Sequence, residues 1–190
     1  MAMPAQPTEW TVDMVRALPD DGNRYEVIDG ELFVTPAPSR NHQRAVRELT
    51  LVIEPYVRAE RIGEVIFAPA DIVVFGPRKF VQPDRFVPPF VGGNPVHAWT
   101  ELGHLLLAVE VQSPSTAVTD RGPKRVLYQE KGVPEYWIVD TAERMIERWT
   151  PNDSIPEMVS HTLQWWPHDA EAPLALALAP FFDRVLGLEG

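Results

Sequence analysis

The sequence runs His104-Leu-Leu-Leu-Ala-Val-Glu-Val-Gln112 through a mostly apolar stretch that carries one acidic side chain, Glu110. Apolar residues at successive positions, without alternation, are typical of a strand that is buried on both faces of a sheet. A carboxylate inside such a strand is costly to bury unless a positive charge compensates it. We therefore expect either a metal ion or an Arg or Lys side chain beside Glu110.

A second carboxylate and an amine stand at positions from which they could reach this strand. Asp84 follows a proline toward the end of a strand predicted over residues 80–87. Lys124 lies one element beyond Glu110, in a short helix predicted over residues 120–131. The three side chains are thus the first candidates for a common site.

A metal ion would give these residues a chemical role. Mg²⁺ prefers oxygen ligands and frequently takes only one or two carboxylates together with water and substrate phosphate. Asp84 and Glu110 on adjacent strands could hold such an ion, with the backbone carbonyl of Val111 as a further ligand. The ion would polarise a phosphate and lower the pKa of a bound water. Lys124 could orient that water or stabilise the charge that develops on phosphorus.

The rest of the pattern predicts one domain over residues 1–190 with an α/β (α+β) fold, in which helices flank a central mixed β-sheet. Asp29-Gly30 between two alternating runs predicts an N-terminal β-hairpin, because both turn residues need positive φ. The longest helix is predicted to start near Ser39 or Asn41 and to end near Arg61. Further strands are predicted over residues 64–75, 135–140 and 145–150, and a looser tail follows residue 151.

The composition excludes several classes of site. The chain has no cysteine, which rules out disulfides, thiolate nucleophiles and zinc–sulfur centres. Its five histidines show no metal-ligand spacing, and the absence of a Gly-rich phosphate loop predicts no nucleotide cofactor. No apolar run approaches the roughly 20 residues that cross a bilayer, and the N-terminus has no signal-peptide pattern. We therefore expect a cytoplasmic protein without a membrane segment.

The net charge of −10 is distributed unevenly. Residues 1–39 hold seven acids and two bases, and residues 151–190 hold six acids and one base. The middle of the chain is therefore neutral and both extensions are acidic. A neutral middle is a weak electrostatic footprint for binding a phosphate backbone.

Five blocks of sequence resemble the bacterial Uma family, a restriction-endonuclease-like family of the PD-(D/E)XK superfamily. The blocks cover about residues 24–150 and are Tyr25-Glu-Val-Ile-Asp-Gly-Glu-Leu32, Gln82-Pro-Asp84, Val109-Glu-Val-Gln-Ser-Pro-Ser-Thr116, Asp120…Lys124…Tyr128 and Gly132-Val-Pro-Glu-Tyr-Trp-Ile-Val-Asp140. The resemblance implies a restriction-endonuclease-like core with a four-stranded mixed sheet. It also implies hydrolysis of phosphodiester bonds in nucleic acid, foremost DNA, with Mg²⁺ or Mn²⁺ held by Asp84 and Glu110. Nucleases of this class commonly act as dimers, so we expect a homodimer.

The sequence departs from the PD-(D/E)XK signature at Gln112, which stands where the motif has lysine. Related nucleases can supply the amine from a neighbouring helix, and Lys124 is the natural substitute. We therefore expect Asp84, Glu110, Lys124 and Gln112 to form the catalytic set, with Gln112 as a neutral polar contact.

Three further acids are candidates for auxiliary roles. Glu31 follows the hairpin turn and either points toward the site or faces water, and Asp71 is similar. Asp120 either assists the site or caps its helix, where a negative charge suits the helix dipole. For His42 and Glu48 on the long helix, a solvated face is the favoured interpretation.

The sequence is compatible with three functions. The first is a metal-dependent nuclease. The second is a catalytically weak or inactive module of the same fold that binds nucleic acid or a protein. The third is a structural protein in which Glu110 pairs with an Arg or Lys side chain, without room for a metal.

Overall fold

The computed structural model describes residues 9–68, 70, 75–96 and 104–188. The strands are β1 (Arg24–Ile28), β2 (Glu31–Thr35), β3 (Ile66–Phe67), β4 (Lys79–Phe80), β5 (Arg85–Val87), β6 (Leu107–Val111), β7 (Tyr136–Asp140), β8 (Met145–Trp149), β9 (Glu157–Val159), β10 (Thr162–Trp165) and β11 (Leu174–Ala177). The helices are α1 (Val12–Arg16), α2 (Arg40–Glu60), α3 (Ala117–Thr119), α4 (Arg125–Glu130) and α5 (Leu178–Leu186), with a π-helical turn at Asp120–Lys124 between α3 and α4.

The apolar run that carries Glu110 forms β6, which lies inside a six-stranded mixed sheet of order β3-β5-β6-β7-β8-β9. It pairs with β5 in the antiparallel sense and with β7 in the parallel sense. Every residue of β6 and β7 is buried, which confirms the prediction of a strand covered on both faces. The sheet is larger than the four strands that the resemblance implied.

The two faces of β6 have different environments. Leu107, Val109 and Val111 face the core that includes α2 and α5. Ala108 faces a second core with Tyr128. Because side chains alternate along a strand, Glu110 points to the same side as Ala108 and away from α2.

The N-terminal hairpin is confirmed in position and turn. β1 and β2 pair in the antiparallel sense, and the turn residues Asp29 and Gly30 have φ values of 51° and 89°. The other edge of β1 pairs with β4, so the hairpin extends into a small three-stranded sheet of its own.

Helix α2 also matches its prediction closely. Ser39 caps its start by accepting a hydrogen bond from the backbone N–H of His42, and Arg61 ends it with φ of 56°. Leu49, Ile53 and Val57 are almost fully buried and face the central sheet.

Two predicted strands differ in the structure. The single strand over residues 80–87 is wrong, because the chain turns at Gln82-Pro83-Asp84 and divides it into β4 and β5, which belong to different sheets. Proline has no N–H to donate to a ladder, which favours such a break. Of the strand over residues 64–75, β3 is observed, and residues 69 and 71–74 lie outside the described residues.

The helix predicted over residues 120–131 is real but not regular. It begins earlier, with α3, and its first predicted turn is π-helical and contains Pro123. Proline removes one backbone donor and pushes against the preceding turn, which disfavours a regular α-helix at this point. Such local π turns frequently occur at functional sites.

The prediction of a loose C-terminal tail is wrong. Strands β10 and β11 form a hairpin, and α5 packs against α2. Phe181, Phe182 and Val185 are completely buried in the same core as Leu49. Within the described part of the chain, no helix is both long enough and apolar enough to span a bilayer.

Candidate active site

Asp84 lies at the point where β5 begins, and its carboxylate reaches the end of β6. One oxygen, Oδ1, accepts a hydrogen bond of 2.7 Å from Nη1 of Arg24. The other, Oδ2, accepts one of 2.8 Å from the backbone N–H of Val111 and lies 2.9 Å from Nε2 of His42. The break in the predicted strand thus places this acid beside β6, within one residue of Glu110.

The charge state of Asp84 follows from these partners. Burial by itself would raise the pKa of this carboxyl, since only 3% of the residue is exposed. The hydrogen bond with His42 and the charge of Arg24 outweigh burial and hold the pKa of Asp84 below its usual value. Asp84 is therefore a carboxylate at neutral pH.

Glu110 and Lys124 form a buried ion pair. Nζ of Lys124 lies 2.9 Å from Oε1 of Glu110, and each residue is 1% exposed. The amine also contacts Oε2 of Glu26 on β1 at 2.8 Å and lies 3.8 Å from Oδ1 of Asp120. The π-helical turn thus delivers one amine to carboxylates from three different elements.

Carboxyl groups outnumber basic side chains in this cluster, which we define as Arg24, Glu26, His42, Asp84, Glu110, Asp120 and Lys124. Burial raises the pKa of Glu110 well above its usual value; Lys124 opposes that shift and the neighbouring carboxylates reinforce it. Burial also raises the pKa of Asp120 to about 6, although Lys124 opposes the change. For Lys124 itself, burial lowers the pKa but the surrounding carboxylates raise it further, so the amine is protonated.

The surplus of carboxyl groups is the observation that bears on a metal ion. Among the described residues, no hydrogen-bond donor reaches the buried Oδ1 of Asp120. The described residues also contain no group of three or more His, Asp or Glu side chains arranged to hold a metal. Among the carboxyl groups of the cluster, those of Asp84 and Glu110 line the cavity, so they are the available donors together with backbone carbonyl and water oxygens. That set suits a hard divalent cation such as Mg²⁺, and the surplus of carboxyl groups in the cluster favours it.

Asp84 and Glu110 line a cavity of about 920 Å³. Its walls are the end of α1, the loops on either side of the hairpin, the start of α2, and the loop after β6. Polar side chains from these walls include Arg16, Arg24, His42, Arg85, Ser113 and Ser115. The two carboxylates can therefore be reached through this space although both are deeply buried.

Gln112 lies in a different environment. Its side-chain Nε2 donates a hydrogen bond of 3.1 Å to Oδ2 of Asp140, and its backbone N–H bonds the carbonyl of Val139. Arg121 lies 3.6 Å from the same Asp140 oxygen. The structure thus brings Lys124 to Glu110, and it ties Gln112 to the end of β7.

The auxiliary candidates have three different locations. Asp120 is 1% exposed and stands in the first turn of the π-helical segment, where it lies inside the cluster. Glu31 is exposed at the start of β2 and does not line the cavity. Asp71 lies outside the described residues.

Three members of the cluster were not predicted as site residues. Arg24 and Glu26 stand two positions apart on β1, so they share a face of that strand, where the first binds Asp84 and the second binds Lys124. Two opposite charges at this spacing on a predicted strand were the available signal. The solvated position favoured for His42 is wrong, because its ring contacts Asp84 and its side chain is 12% exposed.

Glu48 was also expected on a solvated face and is instead 4% exposed. Its carboxylate accepts hydrogen bonds from Arg47 at 2.6 Å and from Arg184 of α5 at 2.8 Å. Glu48 therefore joins α2 to the C-terminal helix and is not part of the cluster.

Comparison with known proteins identifies the family of the chain and a similar fold. A family model described as "Uma2: Putative restriction endonuclease" matches residues 12–179. The crystal structure of a putative nuclease belonging to DUF820 from Anabaena variabilis is similar in fold, with a TM-score of 0.68 and 22% sequence identity over 93% of this chain and 99% of that one. No curated protein matches the chain. Because the family model spans most of the sequence, including every residue of the cluster, the chain belongs to the Uma2 family of restriction-endonuclease-like proteins.

Proposed function

We propose that the protein is a metal-dependent endonuclease that hydrolyses phosphodiester bonds in nucleic acid, foremost in DNA. One observation carries the proposal: two buried carboxylates, Asp84 and Glu110, meet at one cavity, and the amine of Lys124 lies 2.9 Å from the second. This combination of two acids and an amine is what metal-assisted phosphodiester hydrolysis requires. The family relationship and the nuclease title of the similar structure support the same reaction.

Asp84 and Glu110 would hold the metal, Mg²⁺ or Mn²⁺, with the carbonyl of Val111 as a further ligand. The bound cation supplies Lewis acidity and lowers the pKa of a coordinated water. The chain's own residues orient the ligands, since Arg24 and His42 fix both oxygens of Asp84. Residues that fix the orientation of metal ligands commonly matter nearly as much as the ligands themselves.

Lys124 would provide the positive charge that the reaction needs beside the phosphate. Its amine is protonated and buried, so its charge acts through a medium of low dielectric constant and is strong at short range. From its position next to Glu110 it would stabilise the negative charge that grows on the phosphoryl oxygens. In this proposal Gln112 contributes indirectly, by holding Asp140 at the end of β7.

Cleavage of plasmid DNA, supplied both as a supercoiled duplex and as a single-stranded circle, tests the proposal. We expect Mg²⁺- or Mn²⁺-stimulated nicking of at least one of the two forms, which EDTA stops and which Asp84→Ala or Glu110→Ala abolishes. Lys124→Ala should lower the rate by about 10²- to 10³-fold, the usual effect of removing one group that stabilises transition-state charge, while metal affinity is retained.

The exposed acid Glu143 offers a matched control, because it is not part of the cavity lining. Glu143→Ala, purified in the same way, should retain full activity. Undiminished nicking by both carboxylate variants would refute the assignment and indicate a contaminating nuclease.

A second candidate is a catalytically inactive module of the same fold that binds nucleic acid or a protein. The observation in its favour is that the cluster is internally paired: Arg24 and His42 bind Asp84, and Lys124 binds Glu110. A metal must compete with these contacts in order to bind. A chain that holds no divalent cation but still binds a nucleic acid or protein partner would favour this candidate.

Location and assembly remain predictions from the sequence. We expect the protein in the cytoplasm and as a homodimer, since nucleases of this class commonly act as dimers. Sedimentation equilibrium at micromolar concentration would report the mass directly, and a monomer would remove the dimer from the proposal.

A further inference from the structure

Two of the candidate catalytic groups, Asp84 and Glu110, line a cavity. Asp84 is 3% exposed and Glu110 is 1% exposed, so the cavity is their route to substrate. A volume of about 920 Å³ corresponds to a space about 10 Å across, which is the size of a site for a small ligand. The major groove, which is only one part of duplex DNA, is already about 12 Å wide. The whole duplex is therefore wider than this space, and it cannot enter intact.

An exposed aromatic ring borders this cavity. Phe67 on β3 is 58% exposed, and it pairs across the sheet with Arg85, the residue next to Asp84. The guanidinium carbon of Arg85 lies 4.8 Å from the centre of the Phe67 ring. Arg85 is itself held by hydrogen bonds to Thr50 at 2.8 Å and to the carbonyl of Asp84 at 2.6 Å. The ring therefore has a fixed cation on one side and a large solvent-exposed surface.

The charge distribution limits how many phosphates the chain can contact. The net charge is −10, and residues 40–150 are neutral. Proteins that bind duplex DNA tightly neutralise many phosphates with Lys and Arg. Binding of an unpaired strand needs fewer such contacts, because bases that stack on aromatic side chains supply much of the affinity.

From these observations we propose that the substrate is an unpaired nucleic-acid strand, with one base stacked on Phe67 and the adjoining phosphate turned into the cavity. This inference rests on the proposed nuclease function and specifies the substrate of the same site. Phe67 positions the strand and selects against duplex, and Arg85 supports the ring from behind. The bases of an unpaired strand can turn outward, and its backbone can then enter a space that a duplex cannot.

Binding measurements test the inference separately from catalysis. We would use Glu110→Gln as a cleavage-deficient background and record the fluorescence anisotropy of a labelled 12-nucleotide strand and of its blunt duplex. We expect the single strand to bind at least about 10-fold more tightly than the duplex. Adding Phe67→Ala should weaken single-strand binding about 10-fold or more, and Phe67→Trp should restore it because every base can stack on an aromatic ring.

Trp166 offers a matched control, as an aromatic residue that is 65% exposed and lies outside the cavity lining. Trp166→Ala should leave both affinities unchanged. Equal affinity for strand and duplex, no binding of the strand, or insensitivity to Phe67→Ala would each overturn the inference.

Cleavage of the same two oligonucleotides by the unaltered protein with Mg²⁺ separates the inference from the function on which it rests. Asp84-dependent cutting of the single strand supports both. Asp84-dependent cutting of the duplex alone keeps the nuclease proposal and overturns the inference about the unpaired strand. Tight binding of the single strand without metal-dependent cutting of either substrate overturns the nuclease proposal and supports strand selection by Phe67.

Discussion

At the scale of single residues, one amine faces more carboxylates than it can neutralise. Lys124 contacts Glu26 and Glu110 and lies near Asp120. A buried charge without a full set of partners is destabilising. Such an arrangement is typical of sites at which a substrate or cation supplies the missing partner. The folded protein is less stable because of this arrangement, and its function depends on the same groups.

The raised pKa of Asp120 makes the stability of the folded protein depend on pH. Burial raises the pKa of its folded-state carboxyl to about 6, whereas an unfolded Asp titrates near about 3.9. The folded state therefore binds a proton more tightly between these values, and stability decreases as the pH rises through that window. Above pH 6 the buried, charged Asp120 lowers the stability of the metal-free protein.

Asp120→Asn should therefore raise the free energy of unfolding at pH 7 by about 1–3 kcal/mol in the absence of divalent cations. The gain should shrink toward pH 4, where the native carboxyl is already protonated. Asp140→Asn is the control, because Asp140 accepts hydrogen bonds from the backbone N–H groups of Ala142 and Glu143 and from Gln112. The Asp140→Asn substitution should lower the free energy of unfolding. Urea unfolding at both pH values measures these changes, and a loss of stability in Asp120→Asn at pH 7 would contradict the electrostatic account.

At the scale of elements, local sequence signals predicted some parts of the structure well. The hairpin turn at Asp29-Gly30, the cap at Ser39 and the apolar run of β6 were correct because each depends on neighbouring residues. Asp84 and Glu110 lie close together because β5 pairs with β6, and the π-helical turn that follows β6 in the chain brings Lys124 to Glu110.

Other features depend on contacts between distant residues and were missed. Arg24 binds a carboxylate 60 positions away, and His42 binds the same carboxylate from 42 positions away. The π-helical turn contains Pro123, and its conformation depends on how this proline packs against neighbouring residues. Helix α5 follows an alternating Leu-Ala run and contains a proline, so its sequence pattern resembled that of a loose tail. The apolar face of α5 is explained only by its packing against α2.

The integration of α5 into the main core gives an element-scale prediction. Phe182 is fully buried, so Phe182→Ala should lower the free energy of unfolding by about 3–5 kcal/mol. Ile155 lies in the same C-terminal region and is 77% exposed, so Ile155→Ala should change the free energy of unfolding by less than about 0.5 kcal/mol. Chemical denaturation followed by tryptophan fluorescence would compare the two. A small effect in Phe182→Ala would mean that α5 does not contribute to the core as described.

At the scale of the whole molecule, several elements bring charged side chains to one buried cluster. The end of β6, the start of β5, the face of β1 and the π-helical turn all contribute charged side chains to the same buried cluster, and one cavity connects this cluster with solvent. The acidic ends of the chain and its neutral middle make broad duplex binding unfavourable, and that agrees with a substrate that enters a confined space. At this place we propose that Asp84 and Glu110 together hold a divalent cation.

Calorimetric titration of the metal-free protein with Mn²⁺ tests this metal site. We expect saturable binding that Asp84→Asn or Glu110→Gln removes, while Glu143→Gln and Lys124→Ala leave it in place. If the two carboxylate variants bind Mn²⁺ with the affinity and stoichiometry of the unaltered chain, these acids do not form the metal site.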